Sequence, residues 1–286
     1  MTEHQATGRF ADRLGAAMAA NDSLVCIGLD PDLTRFPPPH AAEPDVTRAI
    51  VAFNRAIVEA TADLVCAYKP NLGFYVAHGL PGLAALVETR RLIPPAIPVI
   101  LDAKIGDIGS TAAAYAHGVF DAWNFDAVTA NPYLGADSLA PLLAASGRGV
   151  FILSRTSNPG GADLQAAPIG DGAPEPLYLR VADLVRMWAA TATADAGLVV
   201  GATYPAELAA VRQRCPDLPI LLPGVGAQGG DLAAAVRAGI DRAGRGLLVN
   251  SSRAIIYAEA GADFALAARA ATLALRDQIN RARSAA

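Results

Sequence analysis

A chain of 286 residues with 53% hydrophobic and 17% charged residues can bury a large core, and its length allows one large domain or two small ones. The net charge of −4 argues against a surface that neutralises many phosphates, so no nucleic-acid partner is expected, although a local basic pocket for one phosphate remains open. No apolar run approaches the roughly 18–20 residues needed to span a bilayer, so no membrane partner is expected either. The first twenty residues carry Glu3, Arg9, Asp12 and Arg13, which is unlike a secretory signal and reads as a short amphipathic helix after a frayed start. Three cysteines, Cys26, Cys66 and Cys215, show no metal-type spacing and read as buried, reduced thiols of a cytoplasmic protein. The histidines His4, His40, His78 and His117 are scattered without partners, and His78 and His117 read as structural.

In chain order, Leu24–Asp30 reads as a first strand, Pro31–Pro44 as a Pro-rich loop and Asp45–Ala62 as a helix. Leu64–Lys69 is the second strand, and Leu80–Ile93 the helix after it. The third strand is Val99–Lys104, followed by a helix over Ser110–Ala122. Asp126–Ala130 is the fourth strand, with a helix at Ser138–Ala145. Gly149–Leu153 is the fifth strand, and a long Gly- and Pro-bearing loop, Ser154–Pro176, leads to a helix over Leu177–Ala194. Leu198–Gly201, Pro219–Leu222 and Gly246–Asn250 complete the strands. Their helices are Pro205–Arg214, Asp231–Ala238 and the closing Ala260–Arg283. Short apolar strands that alternate with helices imply a parallel sheet. Eight such units with none left over fit an α/β fold, the (β/α)8 TIM barrel, as a single domain over residues 1–286 with a short N-terminal helix. A doubly wound open sheet is the alternative.

In such a barrel the active site lies at the C-terminal ends of the strands. The first strand ends in Asp30, the second in Lys69, and the third in Asp102 and Lys104. Strand alternation places Ile100, Asp102 and Lys104 on one face, so two acids and two lysines meet at one rim with alternating sign. Inward charges are costly unless paired, and their clustering at this face points to function. Asp107 follows three residues later, in the turn or at the helix start. On the far side, Gly224-Val225-Gly226-Ala227-Gln228-Gly229 formally matches a dinucleotide fingerprint. Its place in the seventh unit fits the barrel phosphate site better, where backbone N–H groups and a helix N-terminus favour an anion. Arg253, after the eighth strand, is a natural bidentate phosphate partner. The ligand expected is a phosphorylated small molecule that spans both sides of the rim, with the Ser154–Pro176 loop over its middle.

These residues resemble the orotidine 5′-phosphate decarboxylase family, whose signature D-x-K-x-x-D-I-x-x-T stands here as Asp102-Ala103-Lys104-Ile105-Gly106-Asp107-Ile108-Gly109-Ser110-Thr111. Asp30, Lys69, Ser157 in T-S-N-P-G, Gln228 and Arg253 follow in the family's order. The likeness covers nearly the whole chain and is greatest to the longer bacterial subgroup. Ser252 before Arg253 departs from the short form, which has glycine there. The resemblance implies decarboxylation of orotidine 5′-phosphate to UMP, the last step of de novo pyrimidine synthesis, with no metal and no organic cofactor. It assigns Lys104 to stabilise and protonate the ring carbanion, and Asp102 to orient Lys104 and disfavour the substrate carboxylate. Asp30 and Lys69 would hold ribose hydroxyls, Ser157 would read the pyrimidine, and Gln228 with Arg253 would hold the phosphate. It also implies a homodimer in which Asp107 and Thr111 complete the neighbouring subunit's site. The nearest rivals are a Mg²⁺-dependent sugar-phosphate decarboxylase or lyase on the same barrel, which would carry an acid where Lys69 stands, and a non-catalytic phosphate-ligand binding barrel.

Overall fold

The computed structural model describes residues 8–38, 40–170, 174–225 and 231–285. Eight strands form one parallel sheet: β1 Val25–Gly28, β2 Ala67–Lys69, β3 Ile100–Ile105, β4 Ala127–Ala130, β5 Gly149–Arg155, β6 Asp195–Val200, β7 Ile220–Leu222 and β8 Leu247–Ser251. Their order is β2-β1-β8-β7-β6-β5-β4-β3. The two end strands meet through the bridges Tyr68 to Val99 and Asn71 to Asp102. That contact turns the sheet into a nearly closed (β/α)8 barrel and disposes of the open doubly wound alternative. β1 and β6 are buried along their whole length, as expected where helices cover the outside and side chains fill the inside.

The helices between the strands begin where short polar side chains can cap them. Asp45 accepts the Arg48 N–H ahead of helix Val46–Thr61, and Asp231 accepts the Ala234 N–H ahead of Leu232–Gly239. Both residues were expected inside their helices; as caps they stand one position outside. Helix Phe10–Ala20 closes the N-terminal end of the barrel. Phe10 is buried edge-on against Phe151 of β5, with ring centroids 5.9 Å apart. A Cβ on Gly149 would lie 2.6 Å from the Phe10 ring, so only glycine lets β5 pass beneath it. At this floor the buried Asp126 accepts from Arg13 at 2.5 Å, Arg90 at 3.0 Å and the Val99 N–H at 2.9 Å. The charges at the barrel floor are therefore committed to holding the N-terminal helix and two βα units together. Among the described residues no helix is long and apolar enough to cross a membrane.

Several expected boundaries shift for local reasons. The second strand begins only at Ala67, because Asn21 Nδ2 donates to the carbonyls of Ala62 and Val65 and keeps Ala62–Leu64 as a 3₁₀ turn. A short helix, Leu72–Val76, capped by Asn71, precedes helix Gly79–Leu92. The segment read as one helix from Ser110 is an α-helix over Gly109–His117 followed by a π turn over Gly118–Ala122. β5 runs two residues beyond Leu153, through a bulge, until Arg155 pairs with Val200. The long segment after it holds helix Ala162–Gln165 and an antiparallel pair, Pro168–Ile169 with Glu175–Pro176. A short helix, Arg253–Ile256, separates β8 from the closing helix Phe264–Ser284. The expectation that the histidines lack partners fails at His117, whose Nδ1 lies 2.9 Å from Asp121 Oδ2 one helical turn on. Cys26, Cys66 and Cys215 are free and buried.

Candidate active site

Asp102 is the hub of the barrel mouth. Its Oδ2 accepts from Lys69 Nζ at 2.9 Å and from Asn71 Nδ2 at 3.1 Å. Its Oδ1 accepts from Lys104 Nζ at 2.7 Å and from Thr129 Oγ1 at 2.9 Å. Burial would push this carboxyl up, but the two ammonium groups and their hydrogen bonds outweigh it and hold Asp102 well below the usual carboxylate range. Lys69 shows the converse. Burial would lower it, yet Asp102 and Asp30 keep it above the ordinary lysine value. The two lysines differ in access. Lys69 is 3% exposed, whereas the Lys104 side chain is 47% exposed and faces the mouth.

Alternation along β3 is not what joins Asp102 to Lys104. The register against β4 slips between Leu101 and Ile105, and Lys104 adopts φ +51°, a region unfavourable to a residue with a Cβ. The bulge is held by Thr129 of β4, whose Oγ1 accepts the N–H groups of Ala103 at 3.0 Å and Lys104 at 2.9 Å. Asp30 follows β1, where Gly28 lies in register with Lys69. Its Oδ1 accepts the Asn71 N–H at 3.2 Å, and its carbonyl accepts from the Tyr257 hydroxyl at 3.3 Å. Asn71 thus links both acids through separate donors. Cys26 lies near this cluster, but burial pushes its thiol up to about 12, so no nucleophilic thiolate is available.

The other expected residues lie around this centre. Asp107 is half-buried in the turn after β3, and its Oδ1 accepts the Ile108 N–H at 2.8 Å. Among the described residues it forms no ion pair. Thr111 is exposed on helix Gly109–His117, so neither residue joins the Asp102 cluster within this chain. Ser157 is half-buried just after β5 and rests on Gly201, where a Cβ would come within 2.7 Å of its backbone. The neck of that loop is tied down by buried Arg155. Its Nε donates to Glu207 at 2.6 Å, and its guanidinium lies 4.5 Å from the Tyr204 ring centroid. Gln165 Oε1 accepts the Thr156 N–H at 2.8 Å. Arg253 is exposed and forms no ion pair among the described residues, while Ser252 Oγ donates to the Gly28 carbonyl at 3.1 Å and ties β8 to β1. Gln228, Gly226 and Gly229 lie outside the described residues; Gly224, at the start of the same stretch, adopts φ +93°.

Residues 23–268 match the model of the orotidine 5′-phosphate decarboxylase / HUMPS family. The chain belongs to this family. An orotidine 5′-phosphate decarboxylase of Thermomicrobium roseum is 60% identical over 274 residues, 96% of each chain. That of Azoarcus sp. is 53% identical over 273 residues, 95% of this chain and 98% of its own. The structure of Leishmania donovani OMP decarboxylase superposes with a TM-score of 0.83 at 40% identity, covering 98% of this chain and 100% of that one. Sequence reading passed over two residues of the mouth, Asn71 and Thr129. Thr129 stands on the inward face of an expected strand, and Asn71 directly follows Lys69-Pro70, so each had a positional signal. What each bonds to lies on another strand.

Proposed function

We propose that this chain is a carboxy-lyase that converts orotidine 5′-phosphate to UMP and CO₂ in de novo pyrimidine synthesis. The observation that carries this reading is the Asp30–Lys69–Asp102–Lys104 cluster at the mouth of a barrel of this family. The C6–carboxylate bond breaks, CO₂ leaves, and the electron pair stays on C6. Lys104, open to the mouth, faces that charge and gives C6 its proton. Asp102 is held ionised by both lysines, so a substrate carboxylate placed beside it meets a fixed negative charge that is relieved as CO₂ departs. The charges are set before substrate arrives, and such preorganisation is where most of the rate acceleration is assigned. Asp30 and Lys69 bind ribose hydroxyls; Asp102 takes only one of the lysine's three N–H donors. Ser157 reads the pyrimidine, and Gln228 and Arg253 hold the phosphate, whose binding energy supports the reaction at C6.

The reading includes a two-fold homodimer with shared sites, in which Asp107 and Thr111 serve the neighbouring subunit. Supporting it, among the described residues the Asp107 carboxylate takes no partner beyond its own turn. Beside it, apolar side chains stand in solvent, with Ile108 57% and Tyr133 77% exposed, and Tyr115 and Leu134 exposed nearby. A single-barrel domain organisation and a cytoplasmic location belong to the same proposal. So does independence from metal ions. Four donors already occupy Asp102, two of them on ammonium groups, and a divalent cation would have to displace them.

The test is the loss of orotidine 5′-phosphate absorbance with and without excess chelator, for the wild type and Lys104→Ala. Turnover that survives chelation and vanishes in a folded Lys104→Ala supports the reading. Turnover that chelation abolishes and Mg²⁺ restores favours the metal-dependent rival. A wild type that binds phosphorylated ligand without any absorbance change favours a binding barrel.

A further inference from the structure

We infer that Thr129 is a positioning residue for decarboxylation, its hydroxyl holding the β3 bulge that turns Lys104 onto Asp102. The inference rests on the decarboxylase reading for its kinetic consequence, but its structural part does not. Thr129 is buried, and its single oxygen makes three hydrogen bonds. It accepts from the N–H groups of Ala103 and Lys104 and donates to Asp102 Oδ1. A hydroxyl offers one proton and two lone pairs. With both lone pairs occupied by amides, the proton has one direction left, towards Asp102.

The arrangement explains the left-handed φ of Lys104. In a regular strand, consecutive N–H groups point to opposite sides, so one oxygen cannot accept from two neighbours in sequence. Here it does, and the backbone between them takes φ +51°. The distortion is local: Leu101 pairs with Val128 before it and Ile105 with Ala130 after it. Its product is the Lys104 Nζ position, 2.7 Å from the carboxylate oxygen that also receives the Thr129 proton. Valine has the shape and strand preference of threonine but can supply none of the three bonds. Without them the left-handed conformation loses both backbone hydrogen bonds that hold it, the single Lys104–Asp102 contact is too little to offset its strain, and Lys104 returns towards regular strand geometry, away from Asp102.

The experiment compares Thr129→Val with Thr129→Ser, both first shown to be folded by circular dichroism and melting. Steady-state kinetics on orotidine 5′-phosphate and a crystal structure of each variant follow. A proton donor displaced by about 1 Å loses roughly a hundredfold in rate. The expected result for Thr129→Val is therefore a kcat lower by about a hundredfold with KM within about threefold of wild type, and Lys104 out of the left-handed region. Thr129→Ser, which restores the hydroxyl, is expected to recover kcat to within about threefold of wild type with Lys104 at positive φ. If Thr129→Val does not fold, Thr129→Cys, with a poor acceptor in the same place, takes its part with the same expectation. A Val or Cys variant with near wild-type kcat overturns the inference, as does a Ser variant as impaired as Val. A wild type inactive on orotidine 5′-phosphate overturns the decarboxylase reading instead. The Val crystal structure then decides alone, and an unchanged left-handed Lys104 overturns the role given to Thr129.

Discussion

Lys69→Met removes the charge that faces Asp102 from inside the barrel while keeping a side chain of similar length. In the wild type Lys69 Nζ and Asp102 Oδ2 are 2.9 Å apart and both side chains are largely buried. At an effective dielectric of about 20, that separation corresponds to an attraction of about 6 kcal/mol. Desolvation of both groups cancels part of this, and breaking one side of a buried pair typically costs about 3–5 kcal/mol. Asp102 keeps Lys104, Asn71 and Thr129, so the low end applies, about 3 kcal/mol. With an unfolding entropy of about 2.1 cal/mol/K per residue, a chain of this length loses about 5 °C in Tm for about 3 kcal/mol near neutral pH.

The assay is a melt of both proteins at one scan rate from about pH 8 down to about pH 2, so that it crosses the range below the unfolded carboxyl pKa. Asp102 is depressed in the folded wild type, so its contribution is present above the unfolded carboxyl pKa and is lost as pH falls through the folded value. Without Lys69 the Asp102 pKa rises, and the folded variant takes up its proton at higher pH than the wild type. The Tm gap should therefore narrow towards acid. A drop below about 2 °C near neutral pH, or a gap that widens on acidification, would refute the claim that this pair is buried and mutually committed.

Arg253→Ala removes a charge-assisted phosphate contact worth roughly 1.5–3 kcal/mol, so kcat/KM for orotidine 5′-phosphate should fall by about 10- to 150-fold; an unchanged value would put the phosphate elsewhere. Gly201→Ala brings a Cβ to 2.7 Å from the Ser157 backbone and should raise KM through displacement of that loop, which steady-state kinetics can check. Mixing inactive Lys104→Ala and Asp107→Ala proteins under subunit exchange should make about half the dimers mixed, each with one intact site, and so return about a quarter of wild-type site activity. Exchange demonstrated by mass without any return of activity would mean that the sites are not shared.

The barrel was legible because its grammar is local. Eight short apolar runs, each followed by a helical period, leave a parallel closed sheet as the natural packing, and residues at strand ends then fall at one mouth. Asp30, Lys69, Asp102 and Lys104 could be assigned to that rim from spacing alone; the hydrogen bonds that Lys69, Asn71 and Lys104 give to Asp102 could not. The floor was not legible in the same way. Asp126 opens a strand and carries no mark that Arg13 and Arg90, 113 and 36 residues away, will converge on it.

Chain chemistry by itself determined the architecture, the buried thiols and the set of charges available at the mouth, since these follow from periodicity and residue type. Tertiary structure alone decided how the charges differ. Lys69 and Lys104 are both lysines at strand ends, yet closure of the barrel between β2 and β3 seals one and leaves the other open. It also decided that the step from Asp102 to Lys104 is a bulge and not a regular pleat. The cause is a hydroxyl on the next strand, 25 residues from Lys104 in sequence. Which amide that oxygen meets is a matter of register between strands, and register is a property of the folded sheet.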